Sequence, residues 1–200
     1  MSPSSEQIQK LRSMTGAGIM DCKDALTVSC DDIDKAIQYL REKGIASAVK
    51  KAERSAKQGL VTSYIHAGGK LGVLVEVNCE TDFVARTEDF LTLTKELAMQ
   101  VAAANPLYVR KEDVPNDVIE KEKEIYKVQL REEGKPEKVW DKIVEGKLEK
   151  FYTQVCLMEQ PYIRDSSGKE KIKDVVNAAI GKIGENMVVR RFARFRVGEE

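Results

Sequence analysis

The sequence contains few of the residues from which metal sites, disulfide scaffolds and covalent active sites are built. Its 200 residues include only one histidine, His66. Zinc sites and secreted disulfide scaffolds need clustered or more numerous cysteines. The four cysteines here are scattered, at Cys22, Cys30, Cys79 and Cys156. We therefore expect four reduced thiols in a cytoplasmic protein, with no metal site and no cofactor.

Long apolar runs and an excess of one charge are also absent. No stretch of about twenty apolar residues occurs, so no membrane-spanning helix is predicted. The first residues lack the basic and apolar segments of a secretory signal. Lys and Arg together number 33, as do Asp and Glu, so the formal net charge is zero. Proteins that bind phosphate backbones usually carry a basic excess, so we expect neither nucleic acid nor a membrane as a direct partner.

The N-terminal region carries the signals of short helices. Ser4 and Gln7 fit a capping box, in which a hydroxyl and an amide satisfy the first backbone groups of a helix. Gly16 and Gly18 follow and favour its end. A second helix is predicted to begin near Ile19 and to bury one apolar face.

A third helix completes this region. We expect Asp31 to cap it and Gly44 to end it. Residues 1–44 are therefore predicted to form a three-helix bundle small enough to be a docking module. An Ala- and Lys-rich helical linker is predicted over residues 45–58.

From residue 59 the hydrophobic pattern changes to that of an α+β core over residues 59–200. The β-rich runs 60–66 and 71–77 are separated by a Gly-rich segment, which predicts a hairpin. A long amphipathic helix is then predicted to end near Ala104, before Asn105 and Pro106.

The rest of the core is predicted to contain a helical hairpin and a final strand. Residues 117–158 are highly charged and helical in pattern, and Gly134–Pro136 divides them into two arms. The pattern leaves open whether this hairpin lies against the core or extends from it. The alternation from Arg190 to Val197 predicts a strand, with arginines on one face and Phe192 and Phe195 near the other.

No residue pattern marks a catalytic site. A thiol nucleophile would need Cys79 and His66, and nothing in the sequence singles out this pair. The phosphate-binding pattern G-x-x-x-x-G-K-[ST] does not occur, so we expect no bound nucleoside triphosphate. We therefore predict no catalytic residue and no enzymatic reaction.

The most informative string, Glu80–Arg86, follows the second predicted strand. It places Phe83 at a strand-to-helix corner. Phe83 either shares an apolar face with Phe90, seven residues on, or projects outward as an anchor for a partner. Periodicity alone leaves these two interpretations open.

Three motifs resemble signatures of the elongation factor Ts family, in the order of that family. They are Leu11–Lys23, Val77–Arg86, and Lys182–Asn186 followed by Arg190 and Arg191. The resemblance covers essentially the whole chain. It implies an α+β fold with an N-terminal bundle like a ubiquitin-associated domain. It also implies guanine-nucleotide exchange on the translational GTPase elongation factor Tu.

The resemblance also implies which residues contact the GTPase. The bundle would contact the nucleotide-binding domain of the GTPase. Asp82 and Phe83, with neighbouring residues, would disturb the magnesium site of the GTPase. Ile183, Gly184 and His66 would lie on the same core face. The implied contact set is Arg12, Ile19, Met20, Lys23, His66, Thr81, Asp82, Phe83, Val84, Ala85, Arg86, Ile183 and Gly184.

Longer members of the family carry two core halves, whereas this sequence carries one. We therefore expect a homodimer through the core, which would cover the sheet face that a second half covers elsewhere. Two alternatives stay open at this point: a helical adaptor that binds proteins without accelerating nucleotide release, and an unrecognised cysteine enzyme.

Overall fold

The computed structural model describes residues 3–199, which contain eight α-helices and one three-stranded sheet. The sheet is antiparallel and its order is β1 (Gln58–Ile65), β2 (Leu71–Cys79), β3 (Met187–Arg196). The helices are α1 (Ser5–Thr15), α2 (Ile19–Val28), α3 (Ile33–Lys51), α4 (Asp82–Ala85), α5 (Glu88–Ala104), α6 (Asn116–Glu132), α7 (Trp140–Val155) and α8 (Ile172–Ile183). The predicted α+β class is confirmed, as are the β1–β2 hairpin and the end of α5 at Ala104.

The chain forms two compact units. The first consists of Met1–Leu60, Val77–Thr94 and Asp174–Val188. The second consists of Val61–Glu76, Lys95–Lys173 and Val189–Glu200. None of the helices in this described part of the chain is both long and apolar enough to cross a membrane.

In the first unit, α1, α2 and α3 pack as a bundle around a small apolar core. The buried side chains of that core are Leu11, Cys22, Ala25, Leu26 and Ala36. The predicted capping box is present, because the Ser4 hydroxyl accepts from the Gln7 N–H at 3.2 Å and the Gln7 side chain accepts from the Ser4 N–H at 3.1 Å. Such caps satisfy backbone donors that the first helical turn leaves open.

The predicted cap of α3 is wrong by one residue. Asp32, not Asp31, caps the helix, and its carboxylate accepts from the Lys35 N–H at 3.1 Å. A cap residue needs an extended backbone, and Asp32 has φ −77° and ψ 113°. Asp31 has φ 64° and belongs to the tight turn before the helix.

The prediction that Gly44 ends α3 is also wrong, because the helix continues to Lys51. Gly44 is buried where α3 crosses α8. A Cβ built on Gly181 would lie 3.1 Å from the Cα of Gly44, so the lack of side chains allows the two backbones to approach closely. The glycine therefore serves packing between helices rather than helix termination.

In the second unit, α6 and α7 form the predicted helical hairpin. Its arms bury Leu130, Val144 and Leu148 against one another. The break between the arms contains Gly134, with φ 68°, as expected for a glycine after a helix end. The end of α7 is tied to the preceding loop, since the Val155 carbonyl accepts from the N–H groups of residues 107 and 108 at 2.8 and 3.0 Å.

The final strand begins earlier than predicted, at Met187, and ends at Arg196. Side chains alternate between the two faces of a strand, so Phe192 and Phe195, three positions apart, lie on opposite faces. The prediction that they share a face is therefore wrong. Arg191 lies on the same face as Phe195, where it pairs with Glu76 at 2.7 Å.

Candidate partner-binding surface

The corner between β2 and α4 presents an aromatic side chain to solvent. Thr81 caps α4, and its hydroxyl accepts from the Val84 N–H at 3.4 Å. Phe83 is 87% exposed, whereas Phe90 is fully buried. Residues between α4 and α5 break the helical period, so the seven-residue spacing does not place the two rings on one face. The structure therefore favours the outward interpretation of Phe83.

Charged side chains flank the exposed ring. Arg86 donates to the Asp82 carboxylate across one helical turn, and both side chains are exposed. Asp82 also stands in the first turn of α4, where a negative charge is stabilised by the open backbone N–H groups. Ala85 is buried beneath the corner, and Val84 is half-buried. The exposed end of the corner thus combines one aromatic ring with one ion pair.

A network of hydrogen bonds joins this corner to the turn after α8. The Glu185 carboxylate accepts from the N–H groups of Glu80 and Thr81 at 3.1 and 3.0 Å, and from the Thr81 hydroxyl at 2.6 Å. In return, the Glu80 carboxylate accepts from the Asn186 N–H at 2.6 Å. Gly184, with φ 91°, makes the turn that brings these groups together.

The bundle carries a second exposed surface in the same unit. Arg12 lies on α1, while Ile19, Met20 and Lys23 lie on the first turns of α2. Ile19 is 56% and Met20 is 65% exposed. Methionine and isoleucine side chains in such positions are suited to an apolar contact with another protein. Met14, also 56% exposed, is a residue that the sequence analysis did not assign.

The helical period alone would not have found Met14. It stands three residues after the buried Leu11, a spacing that usually shares one helix face, and its exposure is seen only in the folded bundle. Glu185 and Asn186 belong to the motif Lys182–Asn186, but their reciprocal bonds with the corner depend on long-range folding. No local pattern in the sequence identifies such bonds.

His66 belongs to the second unit and lies just after β1. Its ring Nδ1 is 3.0 Å from the Tyr64 hydroxyl, and its backbone N–H donates to the Leu71 carbonyl at 2.9 Å. The residue is exposed. A role for His66 in partner binding stays a prediction.

The buried thiols have pKa values that oppose nucleophilic chemistry at neutral pH. Burial, together with the nearby charge of Glu185, raises the pKa of Cys79 to about 11, and its thiol donates to the Thr81 carbonyl. Burial likewise raises the pKa of Cys156 to about 11. The thiolate is the reactive form, so both groups are almost entirely protonated near pH 7. Among residues 3–199, no group of three or more His, Cys, Asp or Glu side chains is placed to hold a metal ion.

An exposed aromatic ring on an anchored corner, beside a small bundle with exposed apolar side chains, is typical of the class of proteins that act by binding another protein. Comparison with known proteins agrees with this class. A family model described as elongation factor TS matches residues 5–169.

Close relatives extend over nearly the whole chain. Elongation factor Ts of Caldanaerobacter subterraneus subsp. tengcongensis is 60% identical over 196 residues, which are 98% of this chain and 97% of that protein. Elongation factor Ts of Geobacter sulfurreducens is 55% identical over 199 residues, which are 100% of this chain and 91% of that protein. Elongation factor Ts of Syntrophus aciditrophicus is 52% identical over 200 residues, which are 100% of this chain and 98% of that protein.

The chain belongs to the elongation factor Ts family. This membership supports a role as a nucleotide-exchange factor in translation elongation.

Proposed function

We propose that this chain is a guanine-nucleotide exchange factor for elongation factor Tu, and that it binds the GDP form and promotes release of GDP. The observation that carries the proposal is the 87% exposure of Phe83 on a corner held by hydrogen bonds. A large apolar side chain kept in water by its surroundings is costly unless a partner buries it. Family membership implies that elongation factor Tu is this partner.

Two surfaces of the first unit would have different roles, one in docking and one in nucleotide release. Residues 1–44 would act as the docking module, with Arg12, Ile19, Met20 and Lys23 against the nucleotide-binding domain. Phe83 and Asp82 would then enter near the magnesium and phosphate site. This contact would be supported or bordered by Thr81, Val84, Ala85, Arg86, Ile183 and Gly184. His66, in the second unit, would also bind the partner.

Exchange then follows from opposition between two ligands on one GTPase. The factor and the nucleotide each bind well alone but weaken one another, and this coupling is reciprocal. A nanomolar nucleotide is held by about 12 kcal/mol. Weakening that by about 5 kcal/mol would speed release several thousandfold if the change appears in the dissociation rate. Incoming GTP displaces the factor by the same coupling, and no covalent bond is made or broken.

Release of a fluorescent GDP from purified elongation factor Tu tests the proposal directly. Wild-type chain should accelerate release, and Phe83→Ala should lose most of the acceleration while still binding through the bundle. Leu107→Ala, which truncates a side chain that is 64% exposed in the second unit, is a matched control and should behave like wild type. No acceleration by well-folded wild type would reject the proposal. Binding without acceleration would leave the adaptor alternative.

We also propose that the chain forms a cytoplasmic homodimer through its sheet. Part of the exposed face of the sheet in the second unit is apolar, and it lines a depression of about 500 Å³. Its exposed apolar residues are Val61, Ile65, Leu74, Phe195 and Val197. An apolar sheet face of this kind is a recognised mark of an interface. A second copy supplies an identical face, and an interface of twofold symmetry is self-complementary.

Light scattering tests the dimer. Wild type should have twice the monomer mass of 22.5 kDa at micromolar concentration, and Phe195→Asp should shift the chain toward the monomer. A wild type that is strictly monomeric would overturn this part of the proposal.

A further inference from the structure

We propose that Glu185 and Asn186 are positioning residues that hold the Phe83 corner fixed relative to the bundle, so that docking drives the aromatic ring into the partner. This inference rests on the proposed exchange function and extends it. Four residues that bond to one another hold the corner, and we call them the corner clamp: Glu80, Thr81, Glu185 and Asn186.

The corner needs such support because its own helix is too short to be stable. α4 contains four residues, which is about one turn, and an isolated turn of helix is unstable in water. Phe83 is 87% exposed and therefore gains little packing from its own unit. Its direction must be set by the residues that hold the backbone on either side.

Glu185 supplies that support on the strand side of the corner. One carboxylate oxygen accepts from two successive backbone N–H groups, those of Glu80 and Thr81, at 3.1 and 3.0 Å. The other accepts from the hydroxyl of Thr81 at 2.6 Å, and Thr81 is also the cap of α4. Hydrogen bonds to a charged group are the stronger kind. Glu185 thus fixes the residues from which α4 begins.

Asn186 connects the clamp to the end of the bundle. Its side-chain amide donates to the carbonyls of Ala52 and Arg54, at 3.4 and 2.8 Å, just after α3. Its backbone N–H donates to Glu80 at 2.6 Å, and the Arg54 guanidinium lies 3.6 Å from the same carboxylate. Asn186 is only 3% exposed, so these bonds are largely shielded from water.

A second connection reaches the turn between α1 and α2. Lys182 pairs with Asp89 at 2.6 Å, and a Cβ built on Gly16 would lie 3.2 Å from its ammonium nitrogen. Gly16 comes three residues before Ile19, the first exposed residue of the proposed docking surface on α2. Residues 182–186 therefore lie against the turn between α1 and α2 and bond to the residues after α3 and to the corner. A short segment next to all three can keep the two binding surfaces at a fixed spacing.

Weakening the corner clamp should impair nucleotide exchange without impairing docking of the bundle. If the corner is loosened, the bundle still docks, but Phe83 must be ordered when it inserts into the partner. The ordering cost falls on the exchange step rather than on docking. We therefore expect Glu185→Ala to lower the maximal rate of GDP release at least tenfold. The concentration of the chain that gives half-maximal stimulation should change less than threefold.

The conservative variant separates positioning from direct contact. In Glu185→Gln, the amide oxygen still accepts from both backbone N–H groups, and the amide nitrogen donates to Thr81 in place of the accepted hydroxyl. This variant should keep most of the wild-type rate. If Glu185→Gln is as defective as Glu185→Ala, the negative charge acts on the partner directly and the positioning role is overturned. Glu53→Ala, which removes an exposed carboxylate from the same unit, is the control and should match wild type.

Hydrogen exchange provides a readout that does not depend on the GTPase. The amides of Glu80 and Thr81 should exchange much faster in Glu185→Ala than in wild type, while amides of α1 and α2 stay protected.

If Glu185→Ala does not fold, Asn186→Ala tests the same inference, since it removes the two side-chain bonds to the residues after α3. It should likewise lower the maximal rate of GDP release and leave docking almost unchanged. If a folded clamp variant accelerates nucleotide exchange as well as wild type does, the inference about the clamp is wrong and the proposed function still stands. A wild type that fails to accelerate release would overturn the proposed function, and this inference with it.

Discussion

Replacing Gly181 by alanine should destabilise the protein even though alanine is the better helix former. The substitution places a Cβ 3.1 Å from the Cα of Gly44, and a backbone atom cannot move aside as a flexible side chain does. Overpacking of this kind costs about 1–3 kcal/mol. The gain in helix propensity is at most about 1 kcal/mol and is smaller near the end of α8. We therefore expect a net loss of about 1–2 kcal/mol.

The opposite glycine provides a matched control in the same contact. A Cβ on Gly44 would lie 3.5 Å from the Asn177 carbonyl oxygen, which is ordinary van der Waals contact. Gly44→Ala should therefore be neutral or stabilising by up to about 1 kcal/mol. A Cβ added to Gly146, on the exposed face of α7, would meet no atom of residues 3–199 within 4 Å, so Gly146→Ala should stabilise by a similar amount.

Thermal unfolding followed by circular dichroism measures the difference. A free-energy gap of about 2 kcal/mol between Gly181→Ala and Gly44→Ala corresponds to a difference of about 4–8 °C in midpoint for a protein of this size. If Gly181→Ala is as stable as Gly44→Ala, the close approach of α3 and α8 does not restrict residue size. The packing role assigned to these glycines would then be wrong.

Two further predictions concern the N-terminal cap and the buried thiols. Ser4→Ala should lower the free energy of unfolding by about 1 kcal/mol, because the Gln7 N–H loses its acceptor, and urea titration measures the loss. The pKa values of Cys79 and Cys156 are raised from 9.0 to about 11 in the folded chain, so their contribution to stability is present below pH 9 and is lost as the pH rises through 11. Urea midpoints should fall over this interval and fall less in Cys79→Ala, whereas equal losses in both proteins would show that Cys79 does not contribute.

The sequence predicted the elements of the fold well because their signals are local. The capping box at Ser4, the end of α5 at Ala104 and the break near Gly134 all depend on residues within a few positions of one another. Such patterns act on the backbone directly and are visible in a single chain. Gly44 was interpreted by the same local rule, and there the rule failed. Its role comes from Gly181, which is far away in sequence.

The candidate surface was predicted only in part for the same reason. Motif resemblance pointed to Phe83 and Met20, and the structure shows both side chains exposed. Periodicity alone could not decide the direction of Phe83, because the interruption between α4 and α5 resets the helical phase. The bonds from Glu185 to the corner span 104 and 105 positions, so they arise only when the chain is folded.

The two most exposed aromatic side chains indicate why the chain would need two kinds of interface. Phe83 is 87% exposed and Phe195 is 70% exposed, and they belong to different units. Burying a phenylalanine side chain contributes about 1.5–3 kcal/mol, so leaving two of them in water is a substantial cost for one chain. The surroundings of the two rings differ. Phe83 stands beside the Asp82–Arg86 ion pair, which suits a polar nucleotide site, whereas Phe195 lies near the apolar side chains of Leu74 and Val197, which suit a copy of the same surface. This difference supports the two proposals that Phe83 meets the GTPase and that Phe195 meets a second copy of the chain. A single shared interface for both rings would contradict them.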